Sequence, residues 1–439
     1  MKEIQYLIES ISVASNRVTV VAEAEFTKKF LNADFFVEYQ ESSILKLPEE
    51  VLLAPFLYNI APIVWLSGKT YKLKTCDSDL YQSLLSVREV MAAQYPLLDW
   101  AGGFEVDELV SLDLPIQTDS AAVLFSGGLD SITTSLRHKD KKQLLLAVQG
   151  ADVGFDNESG WKQVQMANDA FAKRFGFNTG YIKANLIDFI NTKELLCPEK
   201  GVFNWWGCVQ FGMGLCGVAM PLIVSKGIPN LLIGSSYSVK FNAPNGSTPE
   251  IDNKLRVGAF RSTHDAFEWS RQDKISFVVT SQQDVVNKTE LRVCHAKPGF
   301  GDGGNCGKCE KCLRTMCGLA VEGARLKDWG FNVDVKTLGQ RLLKSLDGVD
   351  LMFGGGLHFL WKEIQSKAKS NPEFLQLADP IFYQWFVQFD FNEYLIKYKE
   401  KPTVPPSYFQ LRVLPPIKRL IASNKYTKSI AVFILSKVS

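Results

Sequence analysis

The sequence has almost no excess of charge of either sign. Its 49 Lys and Arg residues face 47 Asp and Glu residues, which gives a formal net charge of +2 at pH 7. A chain with so little net charge gives no overall indication of binding to nucleic acid or to a membrane surface. The first ten residues, MKEIQYLIES, also lack the uninterrupted apolar stretch of a signal peptide. We therefore expect a cytoplasmic protein, with nothing to indicate a nucleic-acid or membrane partner.

Histidine is scarce, and the cysteines do not indicate disulfides. The four histidines show no pairing at metal-ligand spacing. The nine cysteines are odd in number, no export signal accompanies them, and four of them cluster near residue 300. A reducing compartment therefore fits better than a disulfide framework. No cysteine follows Met1, which disfavours a synthetase that carries its own glutaminase.

The longest stretch without charge covers residues 201–225, and residues 212–224 within it are apolar throughout. Asn204, Gln210, several glycines and Pro221 interrupt this stretch. We therefore predict a buried core helix at this position and no membrane span.

At 439 residues, the chain is long enough for two or three domains. Residues 1–115 predict a β-rich N-terminal domain that ends in a helix and serves binding or assembly. Residues 116–325 alternate apolar strands with helices, which predicts a parallel, doubly wound α/β sheet. Residues 326–439 predict a helical C-terminal domain that is rich in aromatic residues.

Individual elements can be placed within these three parts. The predicted strands lie at residues 18–24, 35–39, 63–66, 70–72, 121–125, 144–148, 180–183 and 230–233. The predicted helices lie at residues 77–94, from 131 onwards, at 161–175 and in the apolar stretch before residue 225. The prolines at residues 402–406 predict a loop near the C-terminus.

The strongest local signal is a glycine-rich hexapeptide between the strand at 121–125 and the helix that begins at residue 131. Its residues are Ser126, Gly127, Gly128, Leu129, Asp130 and Ser131. Backbone N–H groups at a helix N-terminus attract anions, and glycine lets the backbone approach phosphate oxygens closely. The serines add hydroxyl donors, and an acid at position 130 makes most sense if Mg²⁺ bridges it to a polyphosphate. The hexapeptide has neither the Gly-Lys-Ser/Thr ending of a Walker A loop nor the GxGxxG pattern.

The string SGGLDS after an apolar strand resembles the signature of the PP-loop ATP pyrophosphatases, which cleave ATP to AMP and pyrophosphate. The resemblance implies ATP contacts by the hexapeptide and by Gly234, in a second glycine-containing loop. It also implies that Lys274 reaches the phosphates or the activated carboxylate, so that Asp130 and Lys274 are the catalytic residues. The alternatives are a plain connecting turn at the hexapeptide and a solvated surface lysine at position 274.

Four cysteines have metal-ligand spacing: Cys294, Cys306, Cys309 and Cys312. Four thiolates close a tetrahedral zinc site without a water ligand, so such a site is structural. The glycine-rich residues 295–305 can bring the first cysteine back to the other three. Thiolates alone do not distinguish zinc from an iron–sulfur cluster, which stays the alternative. The remaining cysteines (Cys76, Cys197, Cys208, Cys216 and Cys317) are predicted to serve packing, and His295 is at most an outer neighbour of the metal ligands.

Together, the loop and the cysteine cluster resemble the 7-cyano-7-deazaguanine synthases, the QueC family. The match extends through GIPNLLIGSS, DKISFVVTSQQDVVNKTELRVC and GDGGNCGKCEKCLRTMCGL, and it covers residues 118–325, about half of the chain. It implies a reaction on 7-carboxy-7-deazaguanine, whose carboxylate attacks the α-phosphate of ATP before ammonia displaces AMP. A second activation of the resulting amide then yields the nitrile.

The sequence departs from that family where the substrate is expected to bind. A Pro-Gly-Arg-Asn-like segment is replaced by FNWWGCVQFG, in which Trp205 and Trp206 either stack on a deazapurine ring or serve as core aromatics. An expanded segment, YSVKFNAPNGSTPEIDNKLR, offers Glu250 and Asp252 as partners for guanine-edge N–H groups. The added N-terminal and C-terminal parts resemble extended QueC-like proteins of anti-phage defence systems. That resemblance implies conjugation of the deazapurine to the amine of a partner protein.

Three other functions stay open. With ammonia as the acceptor, the product would be free 7-cyano-7-deazaguanine. Another PP-loop chemistry such as tRNA thiolation needs redox cysteines near ATP, for which Cys197 and Cys208 are candidates, and a basic RNA-binding surface, which is not evident. The third is a scaffold that senses nucleotides without catalysis, and the intact SGGLDS loop argues against it.

Overall fold

The structure is a computed structural model that describes residues 4–14, 16–40, 44, 46–240, 243–285, 288–294, 305–346 and 357–393. These residues form eleven strands: β1 (Ile8–Ala14), β2 (Arg17–Ala22), β3 (Phe35–Tyr39), β4 (Thr70–Asp77), β5 (Gly103–Val110), β6 (Ser120–Leu124), β7 (Lys142–Gln149), β8 (Asn178–Ala184), β9 (Asn230–Gly234), β10 (Arg256–Val257) and β11 (Phe260–Asp265). They also form thirteen α-helices: α1 (Ala24–Phe30), α2 (Glu49–Leu66), α3 (Ser78–Gln94), α4 (Leu129–Arg137), α5 (Glu158–Phe175), α6 (Phe211–Ser225), α7 (Pro249–Asp252), α8 (Arg271–Ser281), α9 (Glu310–Ala320), α10 (Leu338–Leu346), α11 (His358–Ser370), α12 (Pro372–Ala378) and α13 (Pro380–Gln388).

Nine of the strands form one mixed sheet in the order β1-β2-β3-β8-β7-β6-β9-β11-β10, while β4 pairs with β5 separately. The five central strands, from β8 to β11, run parallel to one another. All five residues of β6 and seven of the eight residues of β7 are buried. A strand that is buried on both faces has a continuous apolar sequence, which makes these strands recognisable. The predicted α/β class is confirmed, with a mixed sheet whose five central strands are parallel.

The order of the central strands reverses at β6. The chain runs from β6 outward to β7 and β8 on one side, and then crosses to β9 and β11 on the other. In open α/β sheets, ligands bind in the crevice at the carboxyl ends of the strands where the order reverses. The carboxyl ends of β6 and β9 therefore mark the expected position of a site.

Helices cover both faces of this sheet. Ala122 and Leu124 of β6 point into a core that includes α2 and α6, whereas Ala121 and Val123 point into a second core with α4, α8 and α9. This alternation follows from the two-residue period of a strand. The second core also contains residues of α10, α11, α12 and α13, so the helices predicted after residue 326 pack beside α9. Residues 394–439, with the loop predicted at 402–406, lie outside the described residues.

The N-terminal strands extend the central sheet. β3 pairs antiparallel with β8, with Val37 opposite Ala184 and Tyr39 opposite Ile182. β2 and then β1 continue the sheet beyond β3, and one core includes residues from both parts of the chain. The strands predicted at residues 18–24 and 35–39 are present. The boundary at residue 115 stays a prediction.

The strand predicted at residues 63–66 is wrong. These residues end α2, an 18-residue helix in which every residue from 51 to 65 is buried. Because all sides of this helix face the core, its sequence has no amphipathic period, and a short apolar window within it resembles a buried strand. Pro55 and Pro62 inside the helix obscure it further. The strand predicted at residues 70–72 is the start of β4.

Among the residues that the structure describes, two helices are long and apolar enough to cross a membrane by length and composition alone, Glu49–Leu66 and Trp206–Ser225. In each of them, 83% of the apolar window is buried inside the protein. The second helix begins with a π-helical turn, Trp206–Gln210, that continues into α6. Such burial is that of core helices, as predicted for the uncharged stretch at residues 201–225.

Candidate active site and metal centre

The glycine-rich hexapeptide lies at the reversal point of the sheet. It follows β6, and α4 begins within it at Leu129, with Gly128 as the N-cap residue. Ser126 Oγ accepts a hydrogen bond from the Gly128 N–H at 3.3 Å, and Ser131 Oγ donates to the Gly128 carbonyl at 3.1 Å. The predicted strand–turn–helix context is present, and it brings the amides of the first turn of α4 to the carboxyl edge of the sheet.

Gly127 has to be glycine for two reasons. Its φ of +72° lies in the left-handed region, and a Cβ would lie 2.7 Å from Nε of Arg292. The Arg292 N–H donates to the Gly127 carbonyl at 2.9 Å, and its guanidinium donates to the Ser126 carbonyl. In a trans peptide, the N–H points in the opposite direction to the C=O. Since Arg292 binds the two carbonyls, the N–H groups of the same peptides, those of Gly127 and Gly128, point away from Arg292. Arg292 was not among the predicted site residues. Its position two residues before the predicted metal ligand Cys294 could have indicated it.

Two buried cations of α8 face Asp130. Lys274 Nζ lies 3.7 Å from Oδ1 of Asp130, and Arg271 Nη1 lies 3.6 Å from Oδ2. Lys274 is 1% exposed and also donates to the Ser235 carbonyl in the loop after β9. Lys274 is therefore not a solvated surface lysine, and the structure brings it together with Asp130. Arg271 was not among the predicted site residues.

Four cations act on Asp130 together. Burial alone would raise the pKa of Asp130, but the neighbouring cations hold the pKa below its usual value. These cations are Lys274, Arg271, Lys311 and Arg314. Burial lowers the pKa of Lys274 in spite of Asp130, and burial together with the charge of Arg314 lowers the pKa of Arg271 to about 10. A bound anion would stabilise cations that repel one another in this way.

The second predicted loop packs directly on the first. A Cβ at Gly234 would lie 2.7 Å from the Asp130 carbonyl oxygen and 3.0 Å from Thr134 Oγ1. Glycine at this position therefore lets the end of β9 approach the first turn of α4. The structure brings Gly234 and the hexapeptide together at one edge of the sheet, and the contact of Gly234 with ATP stays a prediction.

The predicted substrate residues do not share one environment. Trp205 is 1% exposed and belongs to the core on the α6 side of the sheet. Trp206 is half-buried, and its ring packs edge-on against Phe211 with 5.4 Å between the ring centroids. Glu250 is exposed. Burial favours packing for Trp205, and the substrate contacts of all three residues stay predictions.

Asp252, the fourth predicted substrate residue, is fully buried and already bonded. His264 Nδ1 lies 2.7 Å from its Oδ2, and Ser247 Oγ donates to the same oxygen at 2.6 Å. Burial raises the pKa of Asp252, and His264 offsets this effect only in part. These contacts favour a structural role, in which Asp252 joins α7 to β11.

We expect Asp252→Ala to lower the free energy of unfolding by about 3 kcal/mol, because it leaves the buried His264 side chain and the partly buried Ser247 hydroxyl without their partner. Glu250→Ala, at an exposed position two residues away, should change this free energy by less than about 0.5 kcal/mol. Urea denaturation followed by circular dichroism measures both values. Unchanged stability of the Asp252 variant together with weaker substrate binding would instead identify Asp252 as a substrate ligand.

The four predicted metal ligands come together in space. The Sγ atoms of Cys294, Cys306, Cys309 and Cys312 all lie within 4.8 Å of one another. The distance is 3.9 Å between Cys294 and Cys309 and 3.8 Å between Cys306 and Cys312. Zn–S bonds of about 2.3 Å in a tetrahedron place the sulfurs about 3.8 Å apart. The cluster can therefore hold a metal ion such as zinc, as predicted.

The surroundings of the cysteines also fit a single ion. Cys309 and burial raise the pKa of the Cys312 thiol, so four thiolates need a cation between them. The N–H groups of Lys308 and Cys309 donate to Cys306 Sγ at 3.4 and 3.3 Å, in the manner of amides around metal-bound thiolates. Sulfur atoms within 4.8 Å of one another fit the ligand sphere of a single ion.

The remaining cysteines lie away from the cluster. Cys76, Cys208, Cys216 and Cys317 are buried, and Cys197 is partly buried. Burial of this kind agrees with the predicted packing role. His295 and the other residues of the glycine-rich stretch up to 304 lie outside the described residues.

The metal centre adjoins the glycine loop. The chain segment 291–294 carries both Arg292, which binds the loop, and the metal ligand Cys294. Asn305 holds this segment from the other side, because its Oδ1 accepts from the Val293 N–H at 3.0 Å and its Nδ2 donates to the Leu291 carbonyl at 2.6 Å. A metal ion bound by Cys294 would therefore stabilise the segment that shapes the loop.

One edge of the parallel sheet thus carries a glycine loop, a group of buried cations and a four-cysteine centre. Cations and backbone amides that converge in this way are suited to an anion of high charge density.

A scan against models of protein families and a search of curated proteins both find no match to this chain.

Proposed function

We propose that this protein is an ATP-consuming enzyme of the PP-loop type, which activates a carboxylate by adenylation and transfers the acyl group to an amine. One observation carries the proposal: the loop at residues 126–131 lies at the reversal point of the sheet, where Asp130 faces the buried cations Lys274 and Arg271. A helix N-terminus with cations beside it is suited to a polyphosphate. The resemblance of SGGLDS to the PP-loop signature supports ATP as the source of that polyphosphate.

The proposed reaction has two steps. A carboxylate oxygen of the substrate attacks the α-phosphorus of ATP, the bond from this phosphorus to the bridging oxygen breaks, and pyrophosphate leaves with the electron pair. The loop amides and Lys274 stabilise the negative charge that develops on the leaving group. An amine nitrogen then attacks the acyl carbon, AMP leaves, and the nitrogen loses a proton.

Asp130 is the acid suited to hold Mg²⁺ beside the polyphosphate. Its Oδ1 is buried and accepts no hydrogen bond from any residue that the structure describes, and its lowered pKa keeps it ionised. Carboxylate oxygens are the ligands that Mg²⁺ prefers, and Mg²⁺ supplies neutralisation of phosphate charge. The four cysteines would hold zinc as a structural ion, with no part in the reaction steps.

The sequence resemblance supports 7-carboxy-7-deazaguanine, or a similar deazapurine carboxylate, as the substrate. The parts added before residue 116 and after residue 325 support a partner protein as the amine acceptor, within an anti-phage defence system. With ammonia as the acceptor instead, the protein would be a 7-cyano-7-deazaguanine synthase.

The test is incubation of the purified protein with ATP, 7-carboxy-7-deazaguanine and either ammonium or a candidate partner protein. We expect equal amounts of AMP and pyrophosphate, and a partner protein whose mass increases by the deazapurine acyl group. Asp130→Ala should lower the rate of AMP formation by about 100-fold or more. Asp119→Ala, which changes an exposed acid just before β6, should leave the rate unchanged.

Two outcomes would redirect the proposal. Free nitrile without a mass gain on any protein would assign ammonia as the acceptor. Tight ATP binding without AMP release under every condition would contradict catalysis and support a nucleotide-sensing scaffold.

A further inference from the structure

Helix α9 carries metal ligands and cations on one short segment. Cys309 is its N-cap residue, Lys311 and Cys312 lie in its first turn, and Arg314 follows. Arg314 is only 5% exposed, and a buried guanidinium is costly unless anions surround it. The groups around the Arg314 guanidinium therefore show which anions it can bind.

The packing of α9 on α8 determines where Arg314 lies. Gln272 Nε2 donates to the Gly318 carbonyl at 3.1 Å, and a Cβ on Gly318 would lie 2.5 Å from Ile275 Cδ1. The two helices are therefore in direct contact at Gly318. Glu322, four residues after Gly318, accepts a hydrogen bond from Ser276 Oγ in the second turn of α8. Arg314, about one helical turn before Gly318, therefore lies toward the start of α8.

Arg314 thereby joins the cations at the glycine loop. Arg271, which is adjacent to Gln272 in the sequence, reaches Asp130 at 3.6 Å. The charge of Arg314 contributes, after burial, to the lowered pKa of Arg271, and it opposes burial at Asp130. It also opposes the effect of burial on Tyr237, in the loop after β9. The charge of Arg314 therefore acts on residues of both loops, in agreement with its position toward the start of α8.

Glu310 fixes the orientation of Arg314. Its carboxylate accepts from Arg314 Nε at 2.7 Å and from Arg314 Nη2 at 3.2 Å. Trp361 of α11 is fully buried, and its Nε1 donates to the same carboxylate at 3.0 Å. A guanidinium that is held along its Nε–Nη2 edge presents its Nη1–Nη2 edge to a second anion.

We propose that Arg314 binds the polyphosphate at the glycine loop, and that Trp361 positions Arg314 through Glu310. This proposal rests on the proposed function, because it assigns a further ligand to the same polyphosphate. It gives the C-terminal helices a part in nucleotide binding. It also explains the position of the four-cysteine centre, because Cys309 and Cys312 hold the end of α9 from which Arg314 reaches the loop.

The probe is inorganic pyrophosphate with Mg²⁺, and its affinity is measured by isothermal titration calorimetry at constant ionic strength on the zinc-loaded protein. Arg314→Gln should weaken pyrophosphate binding about tenfold or more, because a charge-assisted hydrogen bond is lost. Trp361→Phe keeps an aromatic ring and removes the N–H, and should weaken binding about three- to tenfold. It should raise KM for ATP more than it lowers kcat.

The chain offers a matched control for each variant. Arg325→Gln changes an arginine whose side chain is 85% exposed. Trp329→Phe changes a tryptophan that is 1% exposed and lies in the same core as Trp361. Both controls should bind pyrophosphate with the affinity of the original protein.

The outcomes separate this proposal from the proposed function. Unchanged affinity of Arg314→Gln, together with lost binding in Lys274→Met, overturns the proposal and leaves the proposed function intact. No pyrophosphate binding by the original protein contradicts the proposed function itself. A Trp361→Phe protein with a lower melting temperature and unchanged pyrophosphate affinity overturns the positioning role.

If Arg314→Gln does not fold, Arg314→Lys is the second variant. It keeps the charge without the planar fork and should bind pyrophosphate about threefold more weakly. Unchanged pyrophosphate affinity of Arg314→Lys overturns the proposal as well.

Discussion

Replacement of Lys274 by methionine is expected to lower the rate of AMP formation by about 100- to 1,000-fold. Lys274 is 1% exposed, lies 3.7 Å from Asp130 and donates to the Ser235 carbonyl. It is thus held where both loops meet, and its charge would act on the leaving pyrophosphate as that charge develops. Methionine is unbranched and apolar, so it fills much of the buried space without the charge. Steady-state AMP release at saturating ATP measures the effect, and kcat should fall more than KM rises.

The matched control is Lys139→Met, at an exposed lysine just after α4, which should react at the original rate. Circular dichroism shows whether the Lys274 variant keeps the α/β fold. A folded Lys274→Met protein that forms AMP normally would mean that the polyphosphate binds away from residues 126–131. The proposed reaction site would then be wrong.

Cys312→Ser is expected to release the metal ion and to destabilise the loop region by several kcal/mol, because structural zinc contributes its binding free energy to folding. The reason for a wider effect is the chain segment shared by Cys294 and Arg292. Arg292 bonds to the carbonyls of Ser126 and Gly127, so loss of the metal should also weaken ATP binding. Elemental analysis, thermal denaturation and calorimetry with ATP measure the three effects.

Cys197→Ser provides the control, because Cys197 lies outside the cluster and is partly buried. It should keep one metal ion per chain. Zinc gives a colourless protein, since its d shell is full. Iron at one equivalent per chain, with the visible absorption of iron–thiolate bonds, would contradict zinc, and retention of the metal by Cys312→Ser would contradict the four-cysteine ligand set.

The elements next to the site were predictable from the sequence for physical reasons. β6 is buried on both faces, so its five residues form a continuous apolar run. Two glycines then end that run abruptly, and a helix follows. The four cysteines were predictable because metal ligands must be close in space, and CxxC spacing brings two sulfurs to one ion.

The groups that surround the loop were not predictable in the same way. Arg271 and Trp361 belong to no short motif, and their contacts with Asp130 and Glu310 arise only when α4, α8, α9 and α11 pack together. Asp252 shows the converse limit, because an acid in a polar segment indicated a ligand contact, whereas its burial against His264 was not visible in the sequence; the ligand contact stays a prediction. Sequence spacing describes neighbours along one helix or strand, and contacts between elements depend on the complete packing.

The error at residues 63–66 has a similar origin. Helix α2 is buried on all sides from residue 51 to residue 65. A period of 3.6 residues appears only when one side of a helix faces water, so this helix carried no such signal. Composition alone could not separate it from a strand.

β3 cannot pair with β8 until the ribosome has synthesised β8, long after β3 itself. The Phe36 N–H donates to Asn185 Oδ1, and 149 positions separate the two residues. At about 5–20 residues per second, Asn185 is made roughly 7 to 30 seconds after Phe36. Throughout that interval, β3 forms an edge of the nascent β1-β2-β3 meander and lacks its native partner β8. An edge strand without a partner can pair with other chains. The time of greatest exposure to aggregation therefore falls between translation of β3 and translation of β8, before the chain of the candidate site is complete.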